Sequence, residues 1–394
     1  MAHPHACKQK ESPSAPESRA GALYVHVPFC LAKCGYCDFY SIPVQPDLAT
    51  RCVDALAAEL RTQKEFLKEP LASIFVGGGT PTSIGAEPLR RLLLPLSRHA
   101  DARTEFTVEA NPGTVDPAVA AAMAQAGVNR ISLGVQSFQT EELALLGRIH
   151  TPHQADQAIA MLRSAGLDHL SVDLIYGIPG QSLSSWLESL RRAVELGVEH
   201  LSCYALSFEP DTPLGRRLKA GEIRQVDEQL QKDCYYAAID AAEATGMEHY
   251  EISNFARSGR RCRHNITYWE NEPYVGIGPA ATGYIAGERR TNCPDLAAYL
   301  QAIEAGLPPP STSEHLTGRA AMAEAVMLGL RLTEGIDRKA FAVRYGLDVA
   351  DAFPRAISRY AQLGALVVTG SHLRLRRSAL FVADTVLAEV LAEA

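Results

Sequence analysis

Tyr24-Val-His-Val-Pro-Phe29-Cys30-Leu-Ala-Lys-Cys34-Gly-Tyr36-Cys37-Asp-Phe39 sets three cysteines in C-x3-C-x2-C spacing directly after a short β-like run. Thiolates so close together suit metal binding, and two kinds of site compete. A structural zinc ion takes four ligands, usually from paired C-x2–4-C clusters. No second pair occurs here: Cys52, Cys203, Cys234, Cys262 and Cys293 stand singly. A cubane iron–sulfur cluster, [4Fe–4S], is commonly held by four thiolates. Three would leave one iron with an open position for a substrate or cofactor.

Outward from the cysteines, the chain repeats a short apolar, β-branched run, a turn with Gly, Pro or Asn, and a segment with apolar residues at i, i+3 and i+4. This is β/α alternation. The pattern predicts strands near Ala22–Val27, Ser73–Val76, Glu105–Glu109, Arg130–Gly134, His169–Leu174 and His200–Leu206. Helices are predicted near Leu48–Phe66, Glu87–Ser97, Asp116–Gln125, Pro152–Ser164 and Ser185–Leu196, with Gly127, Gly166 and Gly197 as C-terminal caps. Six units are too few for an eight-stranded barrel. The expected fold is α/β, a partial (β/α)6 TIM-like barrel.

In parallel β/α architectures ligands gather at the C-terminal ends of the strands. The chemically expressive residues fall there: the cysteine loop after strand 1, Gly77-Gly-Gly79-Thr80-Pro81 after strand 2, Glu109-Ala-Asn-Pro112 at strand 3, Gln136 after strand 4 and Asp173 at strand 5. Glycines let backbone approach a ligand closely. Glu109 and Asp173 are the residue types that accept hydrogen bonds from ribose hydroxyls, and Arg148 can pair with a carboxylate in a fork. Together they describe a site for something that is both nucleoside and amino acid.

Residues 1–20, rich in Pro and Ser, read as a disordered tail, and 21–235 as the partial barrel. Residues 236–310 are a glycine- and aromatic-rich sheet extension, and 311–394 a small helical, winged-helix-like domain. The proline run Pro308–Pro310 marks a linker. A net charge of −7 argues against nucleic acid as a partner. No apolar run reaches the roughly 20 residues of a membrane helix, which leaves room only for peripheral membrane contact. The first residues lack the apolar core of a secretory signal, so the expected location is cytoplasmic. Nine cysteines in no framework spacing read as reduced thiols.

The motifs YVHVPFCLAKCGYCDF, VGGGTPT, VEANPG, GVQSFQTEELALLGRIH, DLIYGIPGQS, YEISNFA, HNITYW and GLRLTEGID follow one another in an order that resembles the radical S-adenosylmethionine (SAM) superfamily. The likeness is to its HemN/HemW branch, the oxygen-independent coproporphyrinogen dehydrogenases and their haem-chaperone relatives. It implies that Cys30, Cys34 and Cys37 hold a [4Fe–4S] cluster whose open iron takes the amino and carboxylate groups of SAM. Tyr24, Gly79 and Glu109 match positions that contact SAM. Tyr36, Thr80, Pro81, Gln136, Arg148 and Asp173 match positions that bind a second SAM in the true dehydrogenases.

Two positions separate the branches. The dehydrogenases continue their triplet to C-x-C; this chain has Phe39 where that fourth cysteine falls. His264-Asn-Ile-Thr-Tyr268-Trp269 matches an H-N-x-x-Y-W motif tied to haem binding, imidazole being a common axial ligand to haem iron. A core histidine beside a buried Tyr–Trp pair is the alternative. A G-A-H-S stretch frequent in the branch reads Pro279-Ala-Ala-Thr282 here, and its histidine is missing. The resemblance therefore implies a haem chaperone that binds a cluster, SAM and haem. Its partners would be a reductant and a haem-accepting target protein. The alternative is a coproporphyrinogen III dehydrogenase.

Overall fold

The computed structural model describes residues 18–394, so the tail expected over residues 1–17 lies outside the described residues. Residues 18–20 differ from that expectation. Ala20 is fully buried and its backbone bridges to the segment at Leu67, bonding to the Phe66 carbonyl and the Lys68 N–H. The described chain divides into two units, Ser18–His315 and Leu316–Ala394.

The larger unit is built on six parallel strands, β1 (Ala22–Val27), β2 (Ser73–Gly78), β3 (Glu105–Ala110), β4 (Arg130–Gln136), β5 (Leu170–Tyr176) and β6 (His200–Ala205). Alternate side chains on a strand face opposite ways. Leu23, Val25, Ile74, Val76, Ile131, Leu133, Val172 and Leu174 are all fully buried on one face. Their neighbours on the other face include Glu109, Ser132 and Asp173, which line the central cavity. The apolar set is covered by helices such as Pro46–Gln63, Ala86–Ser97 and Pro152–Ser164. Asp116, Thr151 and Ser182 cap three of the helices by accepting from the backbone N–H of Val119, Gln154 and Ser185. Gly127, Gly166 and Gly197 end helices with φ of 80°, 81° and 66°, as the sequence predicts.

The glycine-rich region extends this sheet at both edges. On the β6 side, β7 (Glu248–Glu251) and β8 (Asn254–Ala256) add as antiparallel strands. On the β1 side, β9 (Tyr274–Ile277) pairs parallel with β1, Ala22 opposite Tyr274, and β10 (Thr282–Ile285), β11 (Glu288–Asn292) and β12 (Ser311–His315) follow antiparallel. The twelve strands form one mixed sheet in the order β12-β11-β10-β9-β1-β2-β3-β4-β5-β6-β8-β7. The strand after the proline run belongs to this sheet, so the division between units falls at 315/316 and not at 310.

Buried Glu59 ties the extension to the first helix. Its carboxylate accepts from the Gly278 N–H (2.7 Å), the Tyr299 hydroxyl (2.7 Å) and the Asn292 side-chain amide (2.9 Å). The short helix Arg263–Trp269 closes the N-terminal ends of β2 and β3. There Glu105 accepts from the backbone N–H groups of Arg263 and His264 at 3.0 and 3.1 Å.

The smaller unit packs helices Gly318–Gly329, Arg338–Tyr345, Pro354–Gln362 and Ala383–Ala392 with a three-stranded antiparallel sheet. That sheet joins β13 (Ile336–Asp337), β14 (Leu366–Val368) and β15 (His372–Leu375) in the order β13-β15-β14. Among the described residues no helix is long and apolar enough to cross a membrane.

Candidate cofactor site at the mouth of the barrel

The cysteine loop is closed at its base. Phe29–Cys30 pairs with Ile42–Pro43 in a two-residue parallel ladder, and the Val44 N–H bonds to the Cys30 carbonyl at 3.0 Å. Its middle is pinned from two sides: the Gly35 N–H donates to Leu146 and the Gly35 carbonyl accepts from Leu214, at 2.9 and 2.7 Å. The loop therefore presents its thiols from a fixed frame. Cys30, Cys34 and Cys37 are free, partly buried, and line one cavity of about 500 Å³, within the range of small-molecule sites. Burial pushes the Cys37 thiol up to about 11. Among the described residues no three His, Cys, Asp or Glu side chains gather closely enough for a single metal ion. Three soft thiol donors spread around one cavity fit a polynuclear iron–sulfur cluster.

The glycine run makes this mouth sterically feasible. A Cβ on Gly79 would lie 2.5 Å from the Phe29 carbonyl oxygen, and one on Gly77 would lie 2.8 Å from a Glu109 carboxylate oxygen. The backbone of β2 thus runs hard against both the cysteine loop and β3. The Gly78 N–H donates to Glu109 at 3.2 Å. Glu109 is pushed up to about 8, first by burial and then by the charge of Asp173. Asp173 is itself raised by burial and accepts from the Ser132 hydroxyl at 3.0 Å.

Arg148 organises the opposite wall. Its guanidinium donates to the Cys34 sulfur at 3.4 Å, to the Asn111 side-chain oxygen at 2.5 Å, and to the Gly134 carbonyl. Asn111 in turn donates to the Thr80 hydroxyl at 2.7 Å, and that hydroxyl lies 3.6 Å from the Cys30 sulfur. One hydrogen-bonded chain therefore runs from Cys34 through Arg148, Asn111 and Thr80 to Cys30. Gln136 holds a left-handed φ of 68° where β4 shifts register, a conformation non-glycine residues adopt at some cost.

Of the residues expected at the site, the structure brings together Cys30, Cys34, Cys37, Tyr36, Gly79, Thr80, Glu109, Gln136, Arg148 and Asp173 around the cavity. Phe39 stands at the rim, 64% exposed. Three expected residues do not line it. Pro81 is buried as the first residue of the 3-10 turn Pro81–Ile84. The Tyr24 hydroxyl is bonded to His26 Nδ1 at 3.0 Å. His264 is 1% exposed, with Nδ1 on the Ser73 hydroxyl (2.8 Å) and Nε2 on the Tyr268 hydroxyl (2.9 Å). It packs on Phe75 with ring centroids 5.1 Å apart, and burial lowers it to about 3. Its imidazole is neutral, and both nitrogens are engaged. The packing is that of a core histidine, the alternative weighed from the sequence.

Asn111, Ser132 and Tyr204 also line the cavity and were not singled out as site residues from sequence. Asn111 sits inside the VEANPG motif, which carried a signal. Ser132 and Tyr204 carry none, because only strand alternation turns them inward.

The radical SAM superfamily pattern matches residues 24–193, and the HemN C-terminal domain pattern matches residues 316–382. The heme chaperone HemW of Bacillus subtilis is 35% identical over 377 residues, covering 94% of this chain and 99% of that protein. The heme chaperone HemW of Escherichia coli is 39% identical over 272 residues, covering 67% and 70%. Among solved structures, the coproporphyrinogen III oxidase HemN from Escherichia coli, described as a radical SAM enzyme, superposes with a TM-score of 0.82 at 23% identity. That superposition covers 96% of this chain and 91% of the other. A fold of this type, matched by relatives along nearly the whole length, makes the chain a member of the radical SAM superfamily and, within it, of the HemN/HemW family.

Proposed function

We propose that this protein is a haem chaperone of the radical SAM superfamily, holding a [4Fe–4S] cluster, SAM and haem and delivering haem to a target haem protein. Phe39 carries the choice: an exposed phenylalanine stands at the rim where the dehydrogenase pattern has a fourth cysteine. The relatives named heme chaperone support the same branch.

Cys30, Cys34 and Cys37 would ligate the cluster, whose chemistry when bound is one-electron reduction of the SAM sulfonium. The rest of the mouth would bind and orient. Gly78 and Gly79 line the cavity without side chains and would leave room for the amino-acid end of SAM. Asp173, and Glu109 when ionised, accept from ribose hydroxyls. Arg148 fixes Cys34 relative to Asn111 and Gly134. Tyr36, Thr80 and Gln136 complete the polar wall. Tyr24 and Pro81 would act from behind it, Tyr24 by holding His26 and Pro81 by starting the turn after Thr80.

The superfamily resemblance ties haem to the segment His264–Trp269. On this reading iron reaches His264 only after its bond to Ser73 or Tyr268 is exchanged. A reductant for the cluster, a haem-accepting protein and a cytoplasmic setting belong to the same proposal. The alternative, oxidative decarboxylation of coproporphyrinogen III, is separated by one experiment. Protein reconstituted anaerobically with iron and sulfide is titrated with haem and assayed with coproporphyrinogen and SAM on the same sample. Saturable haem uptake without decarboxylated product is expected; formation of that product would replace the chaperone reading.

A further inference from the structure

At the N-terminal end of the barrel, away from the cysteine loop, lies a second cavity of about 250 Å³. Its most deeply buried cation is Arg130, the first residue of β4, which is 7% exposed. Arginine is rarely buried unless paired, because a desolvated charge is costly. Yet no hydrogen bond and no ion pair within 4 Å joins the Arg130 guanidinium to any described residue, and its charge is balanced only at longer range, by groups that include Glu105 and Asp173. Asn129, Glu105 and Glu199 line the same space, so the available acceptors can be checked in turn.

Each is already bonded to another donor. Glu105 Oε1 accepts from the His264 N–H and lies 3.6 Å from the Cys262 sulfur, and Oε2 accepts from the Arg263 N–H. Glu199 Oε2 takes His169 Nδ1 at 2.6 Å and Arg260 Nε at 3.2 Å. Asn129 gives its oxygen to the Phe106 N–H and its amide to the Thr104 carbonyl. His169 Nε2 faces Arg260 Nη1 at 2.8 Å, which makes it an acceptor already used. His200 is bonded to Ser171 and Tyr250, and burial together with the charge of Arg130 keeps it neutral.

The cations outnumber these acids. Arg130, Arg260, Arg261 and Arg263 line the cavity against Glu105 and Glu199. Arg261 is matched by Glu248 at 3.1 Å. Arg263 gives one nitrogen to the Arg103 carbonyl and makes no ion pair within 4 Å with a described residue. We propose that this cavity is a binding site for an oxyanion, a phosphate or carboxylate group, with Arg130 as its buried partner and Arg260 and Arg263 at its entrance. A guanidinium fork matches either oxyanion in a bidentate geometry. The volume lies below that of pockets for drug-sized ligands, so the site takes an anionic group and not a macrocycle. The cavity shares no lining residue with the one at the cysteine loop, while the charge of Arg130 reaches both His264 and Glu109.

The test is calorimetric titration of the full-length protein with inorganic phosphate and, separately, succinate, at ionic strength held constant with sodium chloride. Wild type, Arg130→Met and Arg263→Gln are compared. Saturable binding of at least one probe is expected, weakened roughly tenfold or more by Arg130→Met and severalfold by Arg263→Gln. The tighter probe identifies the source as phosphate or carboxylate. Arg263 is exposed, so its variant carries the test if Arg130→Met does not fold. No saturable heat with either probe, or equal affinity in every folded variant, overturns the proposal and leaves Arg130 solvated by water alone.

Discussion

Arg148 bonds with one guanidinium nitrogen to the Cys34 sulfur and with another to Asn111 and the Gly134 carbonyl, so one side chain joins the cysteine loop to β3 and β4. A lysine ammonium carries its three N–H donors on one nitrogen and cannot span acceptors that Arg148 serves from two. Arg148→Lys should cost about 1–3 kcal/mol through the acceptors it leaves unpaired. It should also release iron faster after exposure to air. Iron content followed over time, with thermal unfolding of the apoprotein, checks both; unchanged iron loss would remove Arg148 from the support of the cysteine loop.

Gly79 and Gly85 offer a matched pair of substitutions. An alanine Cβ at Gly79 meets the Phe29 carbonyl oxygen at 2.5 Å, whereas at Gly85 nothing lies within 4 Å and only the positive φ of 84° resists. Gly79→Ala should displace the cysteine loop and abolish iron retention. Gly85→Ala should cost about 1 kcal/mol and leave iron content alone. Equal iron content in the two variants contradicts the close-packing account of the glycine run.

Glu109 is an acid whose folded-state pKa, about 8, lies above its ordinary value of 4.5. Between those values the folded state binds more protons than the unfolded one, so stability from this group is present at low pH and lost as pH rises towards 8. Glu109→Gln removes that dependence. Relative to wild type, the apoprotein variant should gain in melting temperature between pH 5 and pH 8. A constant difference across the range would mean that Glu109 ionises as readily in the fold as outside it.

His264 and Tyr268 separate a structural role from a haem-binding one. His264→Ala opens a buried space and orphans Ser73, which should lower stability by about 2–4 kcal/mol whatever the protein binds. Tyr268→Phe removes only the partner of His264 Nε2. If His264 ligates haem iron through that nitrogen, Tyr268→Phe should hold or raise haem affinity while His264→Ala lowers it. Equal affinity across wild type and both variants, by absorbance titration, excludes the imidazole as ligand.

Glu59→Leu keeps the bulk of the side chain and deletes three accepted hydrogen bonds, leaving Gly278, Tyr299 and Asn292 with buried donors. A loss of several kcal/mol is expected, on the order of 1–3 kcal/mol per orphaned donor. Protease sensitivity should appear first between residues 278 and 299, where those donors lie. Uniform sensitivity along the chain would argue against Glu59 as the anchor of the extension.

The six barrel strands and the residues at their C-terminal ends were legible in the sequence because the period-two and helical patterns are local, and Gly127, Gly166 and Gly197 mark where helices must stop. The pairing of β9 with β1 was not, since it joins Tyr274 to Ala22 and nothing near either residue announces the other. The segment His264–Trp269 reads as a ligand motif only through the family resemblance, and it folds as a helix whose histidine turns into the core. The fate of that side chain depends on Ser73 and Glu105, which approach from strands far away in sequence. Arg130 carried no signal as a site residue, because its lack of a direct partner depends on which acids already bond to others.

The pairing of β1 with β9 sets a timetable for making this protein. The strand that feeds the cysteine loop is flanked on one side by β2 and on the other by a partner about 250 residues downstream. At ribosomal rates of about 5–20 residues per second, the thiols of a nascent chain wait on the order of ten seconds or more before that flank can be filled. The cysteines emerge early and their frame is completed late, so metal loading has reason to follow synthesis, and oxidation in the interval threatens the newborn chain more than the finished one.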